Sequence, residues 1–164
     1  MTKIAIVYGT STGATEGVAS QIKSALGAAD MYDVSRVTTE QLKPYDFLIL
    51  GTSTTGYGDL LSDWEDFLPK LETLDFAGKK IALFGLGDSS SYSDTFANGM
   101  AQLYNELKDK AEIVGPVSTD GYTFEDSEAI VDGKFVGLAL DEENEFDQTE
   151  NRIANWTTEL RQYI

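Results

Sequence analysis

The chain has 164 residues, 41% of them hydrophobic and 24% charged, which suits one folded domain with a sizeable core and argues against disorder. Asp and Glu number 28 against 12 Lys and Arg, a net charge of −16 that excludes the basic surface needed for nucleic acid or anionic lipid. Cysteine and histidine are absent, so disulfides, thiolate chemistry, iron–sulfur ligation and the commonest general base are excluded together.

No run approaches the ~18 apolar residues of a membrane span, and Met1-Thr2-Lys3 leads directly into a strand-like segment. The expectation is a soluble, cytoplasmic chain whose redox chemistry, if any, needs a borrowed cofactor.

In chain order, residues 4–8 form a short unbroken apolar run, followed by a turn at 9–15 and a helical stripe of Val18, Ile22, Ala25 and Leu26. A shorter strand is expected near 31–34, and a second strong run spans 47–50. After a loop at 52–61, Trp64, Phe67, Leu68 and Leu71 repeat at helical spacing. The run at 81–84 is followed by a loop at 85–93 and a stripe of Phe96, Met100, Leu103 and Leu107. The last strand is expected in two parts, 113–114 and 135–140, parted by an insertion at 115–134 rich in turn residues. Residues 141–150 carry six carboxylates in ten positions and read as a solvated acidic loop, lacking the glycine and ligand spacing of a calcium loop. A helix with Ile153, Trp156 and Leu160 closes the chain.

Unbroken apolar strands alternating with amphipathic helices predict an α/β fold: one doubly wound parallel sheet with helices on both faces. Ligands of such sheets sit beyond the carboxyl ends of the strands, near the point where strand order reverses. That selects the loops after the first, third and fourth strands.

The first loop, Gly9-Thr10-Ser11-Thr12-Gly13-Ala14-Thr15, places four hydroxyls and two glycines at a strand-to-helix turn. Backbone N–H groups and hydroxyls there suit a phosphate, although Ser and Thr also favour such positions simply as helix caps. No Lys or Arg is present, and neither the triphosphate-binding Gly-Lys-Ser/Thr ending nor the G-x-G-x-x-G spacing occurs; a single terminal monophosphate fits. The second loop, Thr52-Ser53-Thr54-Thr55-Gly56-Tyr57-Gly58-Asp59, is bendable at its two glycines. The third, Gly85-Leu86-Gly87-Asp88-Ser89-Ser90-Ser91-Tyr92, adds an aromatic plate. Together they read as one site.

These motifs resemble those of the flavodoxin family, its long-chain branch in particular. Thr10-x-Thr12-Gly13-x-Thr15 stands at the family's usual place, and Gly58-Asp59-Leu60-x-x-Asp63-Trp64-Glu65 follows the second loop. Gly85-Leu86-Gly87-Asp88 with Tyr92 forms the third, while Thr119-Asp120-Gly121-Tyr122-x-Phe124 and Gly133-Lys134-Phe135-Val136-Gly137-Leu138 mark the insertion and the strand it splits.

The resemblance implies a five-stranded sheet of order 2-1-3-4-5 and a low-potential one-electron carrier, not an enzyme, using non-covalently bound FMN. Thr10, Ser11, Thr12, Gly13, Ala14 and Thr15 would hold its 5′-phosphate. Thr54, Thr55, Gly56, Tyr57 and Gly58, with Gly87, Asp88 and Tyr92, would grip the isoalloxazine, Tyr92 stacking on its outer face. The peptide between Gly56 and Tyr57 matches one that turns over on reduction, so that its carbonyl accepts a hydrogen bond from flavin N5–H. Thr55 stands where many members carry a tryptophan on the inner face. Implied partners are basic-faced redox proteins, such as a flavodoxin/ferredoxin-NADP reductase or a 2-oxoacid oxidoreductase, met by a monomer.

Other function classes leave different marks. A nicotinamide-dependent flavin or quinone reductase on this fold needs basic residues for the dinucleotide, and none clusters beside these loops. A signalling receiver domain needs acidic residues at its first and third strand ends, where this chain has Gly9-Thr10 and Gly51-Thr52. A purely structural module would purify colourless.

Overall fold

In the computed structural model, which describes residues 2–10, 12–55 and 58–164, the central strands alternate between two buried faces. On β1 (Ile4–Gly9), Ile4, Ile6 and Tyr8 enter one core while Ala5 and Val7 enter the other. On β3 (Phe47–Thr55), Phe47 and Ile49 share the first core and Leu48 and Leu50 the second. Burial on both faces is the reason the strands read as continuous apolar runs. The first core lies under α1 (Ala14–Leu26) and α5 (Phe146–Leu160), through Val18, Ile22, Ile153 and Trp156. The second lies under α3 (Ser62–Leu71) and α4 (Asn98–Leu107), through Trp64, Phe67, Met100 and Leu103.

The main strands pair with one another in parallel. β2 (Asp30–Asp33) flanks β1, β1 pairs β3 from Ile4↔Phe47 to Gly9↔Thr52, and β3 pairs β5 (Lys80–Leu86) from Phe47↔Lys80 to Ser53↔Leu86. A four-residue helix, α2 (Thr39–Leu42), precedes β3; its Thr38–Gln41 capping box is a short signal lying between the longer apolar runs. The outer edge of β5 is shared. β6 (Glu112–Val114) pairs Lys80–Ala82, and β10 (Leu138–Leu140) pairs Phe84–Leu86. This is the expected 2-1-3-4-5 order with the fifth strand split.

Three expectations are corrected in detail. Residues 135–140 do not form one strand. Lys134–Phe135 is β9 of a small antiparallel sheet, with β7 (Val117–Ser118) and β8 (Ile130–Val131), and only Leu138–Leu140 rejoins the main sheet. Gly137 permits the transfer, since a Cβ there would lie 2.0 Å from the Leu83 carbonyl oxygen. The run at 47–50 continues as a strand to Thr55, whose end pairs antiparallel with β4 (Asp59–Leu60). Phe96 belongs to the stripe of α4 but not to the helix. Its N–H donates to Asp126 and its carbonyl accepts from the Ser127 hydroxyl, so the insertion holds its backbone outside the helix, which is entered through left-handed Ala97.

The insertion packs through aromatics: Phe96 stacks on Phe124 at 5.5 Å between ring centres, and Tyr122 meets Phe135 edge-on at 4.9 Å. No helix among the described residues is long and apolar enough to cross a membrane.

Candidate functional site

The carboxyl ends of β1, β3 and β5 bring the three loops to one cleft. Thr12 and Ala14 line it from the first loop, Ser53 and Thr54 from the second, and Gly87, Asp88 and Tyr92 from the third. Glu142 and Glu143 close its rim; no Lys or Arg is among these lining residues.

The first loop runs into α1. Thr10 Oγ1 accepts the Gly13 N–H at 2.8 Å, folding the loop back on itself. Gly13 is the N-cap and has no side chain to cap the helix, so the N–H groups of the first turn face the loop uncapped by it. Thr15 is fully buried and its hydroxyl finds no partner among the described residues. The same holds for the buried hydroxyls of Ser53 and Thr95, both beside the cleft. A buried hydroxyl without a partner costs about 1–3 kcal/mol, which a bound polar ligand removes. Ser11 lies outside the described residues.

The second loop is tied to α4. Thr54 Oγ1 accepts the Gly99 N–H at 3.0 Å, and Gln102 Nε2 donates to the Gly58 carbonyl at 2.8 Å. Thr54 therefore has a structural bond as well as a place in the cleft wall. Gly58 is obligatory twice over: its φ is +92°, and a Cβ would lie 2.9 Å from Asn98 Nδ2. Thr55 is placed by its backbone pairing to Asp59. Gly56 and Tyr57 lie outside the described residues.

The third loop is held by residues that sequence reading missed. Asp141 was expected in a solvated acidic loop, yet it is fully buried. Its carboxylate accepts the Ser89 N–H at 3.0 Å, the Ser89 hydroxyl, and the Asn144 N–H at 3.0 Å. Asn144 Nδ2 then bridges to Asp88 Oδ1 at 2.8 Å. Burial pushes the Asp88 carboxyl up, but N–H groups of Ser91 and Ser90 and the Asn144 amide outweigh it and hold the group below the usual carboxylate range. Gly87 N–H donates to Leu140 at 2.9 Å, and Tyr92, 39% exposed, follows as the turn closes on Asp88. On the far side of Tyr92, the N–H groups of Glu125 and Asp126 both donate to the Ser93 carbonyl, so the insertion braces this loop too.

The flavodoxin family model matches residues 6–156. The chain belongs to the flavodoxin family. It is 46% identical to a flavodoxin of Helicobacter pylori over 161 residues, covering 98% of each chain. With a flavodoxin of Nostoc it shares 43% identity over 162 residues, covering 97% of this chain and 95% of that one. Among solved structures, a Fusobacterium nucleatum flavodoxin bound to flavin mononucleotide superposes with a TM-score of 0.94 at 36% identity, covering 100% of this chain and 99% of that one. This flavodoxin is thus an electron-transfer protein by family, and its three-loop cleft is where its fold puts a ligand.

Proposed function

We propose that this flavodoxin carries single electrons at low potential on one non-covalently bound FMN, shuttling between redox proteins with basic faces. The observation that supports the cofactor reading is a pair of buried hydroxyls beside the cleft, Ser53 and Thr95, and a third in the first turn of α1, Thr15, none with a partner among the described residues, at a helix start whose N-cap Gly13 has no side chain. Such a cleft matches a ligand with an anionic end and a polar body.

When bound, FMN supplies the one-electron chemistry; the chain binds it and tunes it. Thr10, Thr12, Gly13, Ala14 and Thr15 would hold the phosphate through N–H and hydroxyl groups, and Ser11, named with them by the resemblance, lies outside the described residues. Thr54, Thr55 and Gly58 would flank the ring on one side, with Gly87, Asp88 and Tyr92 on the other; Gly56 and Tyr57, named with them by the resemblance, lie outside the described residues. Asp88, Glu142 and Glu143 make a further negative charge in the cleft costly, which favours low potential. Asp141 and Asn144 keep the Tyr92 loop in place.

The partners are basic-faced proteins such as a flavodoxin/ferredoxin-NADP reductase or a 2-oxoacid oxidoreductase, met by a monomer. Net charge −16 supports the sign of that match. Partners of this kind draw on nicotinamide and 2-oxoacid pools, which supports the cytoplasm as the place of work.

Titrating apoprotein with FMN and with riboflavin tests the reading. FMN should bind more tightly by at least about a hundredfold, from two or more hydrogen bonds to a charged group. Equal affinities would remove the phosphate from the first loop.

A further inference from the structure

Phe146 opens α5 and is 71% exposed; the other large apolar side chains that stand out among the described residues, Tyr92, Val131 and Ile164, are 39–41% exposed. A single exposed aromatic is ordinary on a protein surface. The place of this one is not. Glu142 and Glu143, four and three residues before it, line the cleft with Tyr92.

The turn that carries Phe146 is fixed at both ends. Glu145 N–H donates to the Asp141 carbonyl at 2.9 Å, and Gln148 N–H donates to the Glu145 carbonyl at 2.9 Å. The Glu145 carboxylate is paired with Arg152 at 3.0 Å, both side chains largely buried. Asp141 is itself bonded to Ser89 of the cleft loop. The ring thus projects from a backbone already ordered and hydrogen-bonded to the loop that carries Tyr92. Its neighbours Glu143 and Asp147 are exposed, giving an apolar centre with an acidic rim.

We propose that Phe146 is the apolar anchor through which this flavodoxin docks its basic-faced redox partners, entering an apolar pocket that the partner's Lys and Arg side chains surround. The inference rests on the partner reading above. Charges at the rim steer and orient the encounter, while an aromatic anchor supplies contact energy and register. Fixing the turn beforehand lowers the ordering cost of docking. One ring gives a contact strong enough to orient the pair and small enough to release it, as a carrier requires. Because Glu143 of this rim also lines the cleft, a partner seated on Phe146 stands beside the cleft mouth.

The test uses the FMN-loaded protein and an NADPH-dependent flavodoxin reductase with a lysine-rich face, both oxidised, with dissociation constants measured by calorimetry across ionic strength. Phe146→Ala should raise the dissociation constant about tenfold, and Phe146→Leu should recover most of that loss. Both variants should keep the wild-type FMN affinity, reduction potentials and salt slope. A wild-type dissociation constant in Phe146→Ala, with the salt slope intact, overturns the anchor. A change in FMN affinity or potential overturns it as well, since Phe146 would then act through the cleft. Loss of salt dependence in the wild type instead overturns the basic-partner reading.

Discussion

Thr15 and Asp141 show two ways in which a single residue escapes or yields to sequence reading. Thr15 was legible because hydroxyls crowd a strand-to-helix turn, a local pattern. Asp141 was not, because its partner Ser89 lies 52 positions away and the surrounding carboxylates disguise one buried acid as part of a solvated run. Each leads to a measurement. Thr15→Val removes a buried hydroxyl with no partner among the described residues, so apoprotein stability should rise by about 1 kcal/mol while FMN affinity falls about tenfold and riboflavin affinity holds. An equal loss for both flavins would detach Thr15 from the phosphate. Asn144→Ala withdraws the amide that helps hold Asp88 below its ordinary value of 3.8. A depressed carboxyl stabilises the fold above its unfolded pKa, and that stability is lost as pH falls through the lower folded value. Asn144→Ala should therefore move the acid unfolding midpoint to higher pH and weaken FMN binding through the loosened Tyr92 loop. An unchanged acid midpoint would mean the bridge to Asp88 is idle.

Elements were legible where burial on both faces made an apolar run, as in β1, β3 and β5. They were not where one run serves two sheets. Residues 135–140 read as a single strand because hydrophobicity does not report which sheet a residue joins, and the close approach of Gly137 to Leu83 is a tertiary fact. The insertion is fastened across that break by Tyr122. Its hydroxyl donates to the Ala139 carbonyl of β10 at 2.7 Å, and the Arg152 guanidinium lies 3.8 Å over its ring. Burial raises the Tyr122 phenol from 10.0 to about 12, with Arg152 pulling it down and Glu145 pushing it up. A raised phenol stabilises the fold fully below pH 10.0, and the contribution is lost as pH climbs towards about 12. Tyr122→Phe should cost about 1 kcal/mol at neutral pH and lose stability less steeply than wild type across that alkaline window. Denaturant unfolding at intervals from neutral to alkaline pH gives both quantities. Burial also raises Tyr45, whose hydroxyl is bonded to Asp30, so the wild-type decline is shared and only its difference from the variant reports Tyr122. Parallel curves would place Tyr122 outside the alkaline transition.

For the whole molecule, the net charge of −16 acts on folding and on partner encounter with opposite signs. Like charges repel within the folded chain, and exposed ion pairs such as Lys43–Glu40 offset little of this. Raising ionic strength from about 10 mM to 0.5 M should therefore raise the melting temperature of the protein. The same screening removes attraction to a basic-faced reductase, so electron-transfer rates should fall as salt passes ~0.1 M, where the Debye length is ~10 Å. Asp63 and Glu65, in the first turn of α3 beyond the second cleft loop, separate these effects. If they only stabilise the start of the helix, neutralising both costs stability, on the order of 0.3–1 kcal/mol each, and leaves the kinetics alone. If they steer partners, Asp63→Asn with Glu65→Gln should flatten the dependence of rate on salt while FMN affinity stays near wild type. A wild-type slope in the double variant would confine both carboxylates to the helix start.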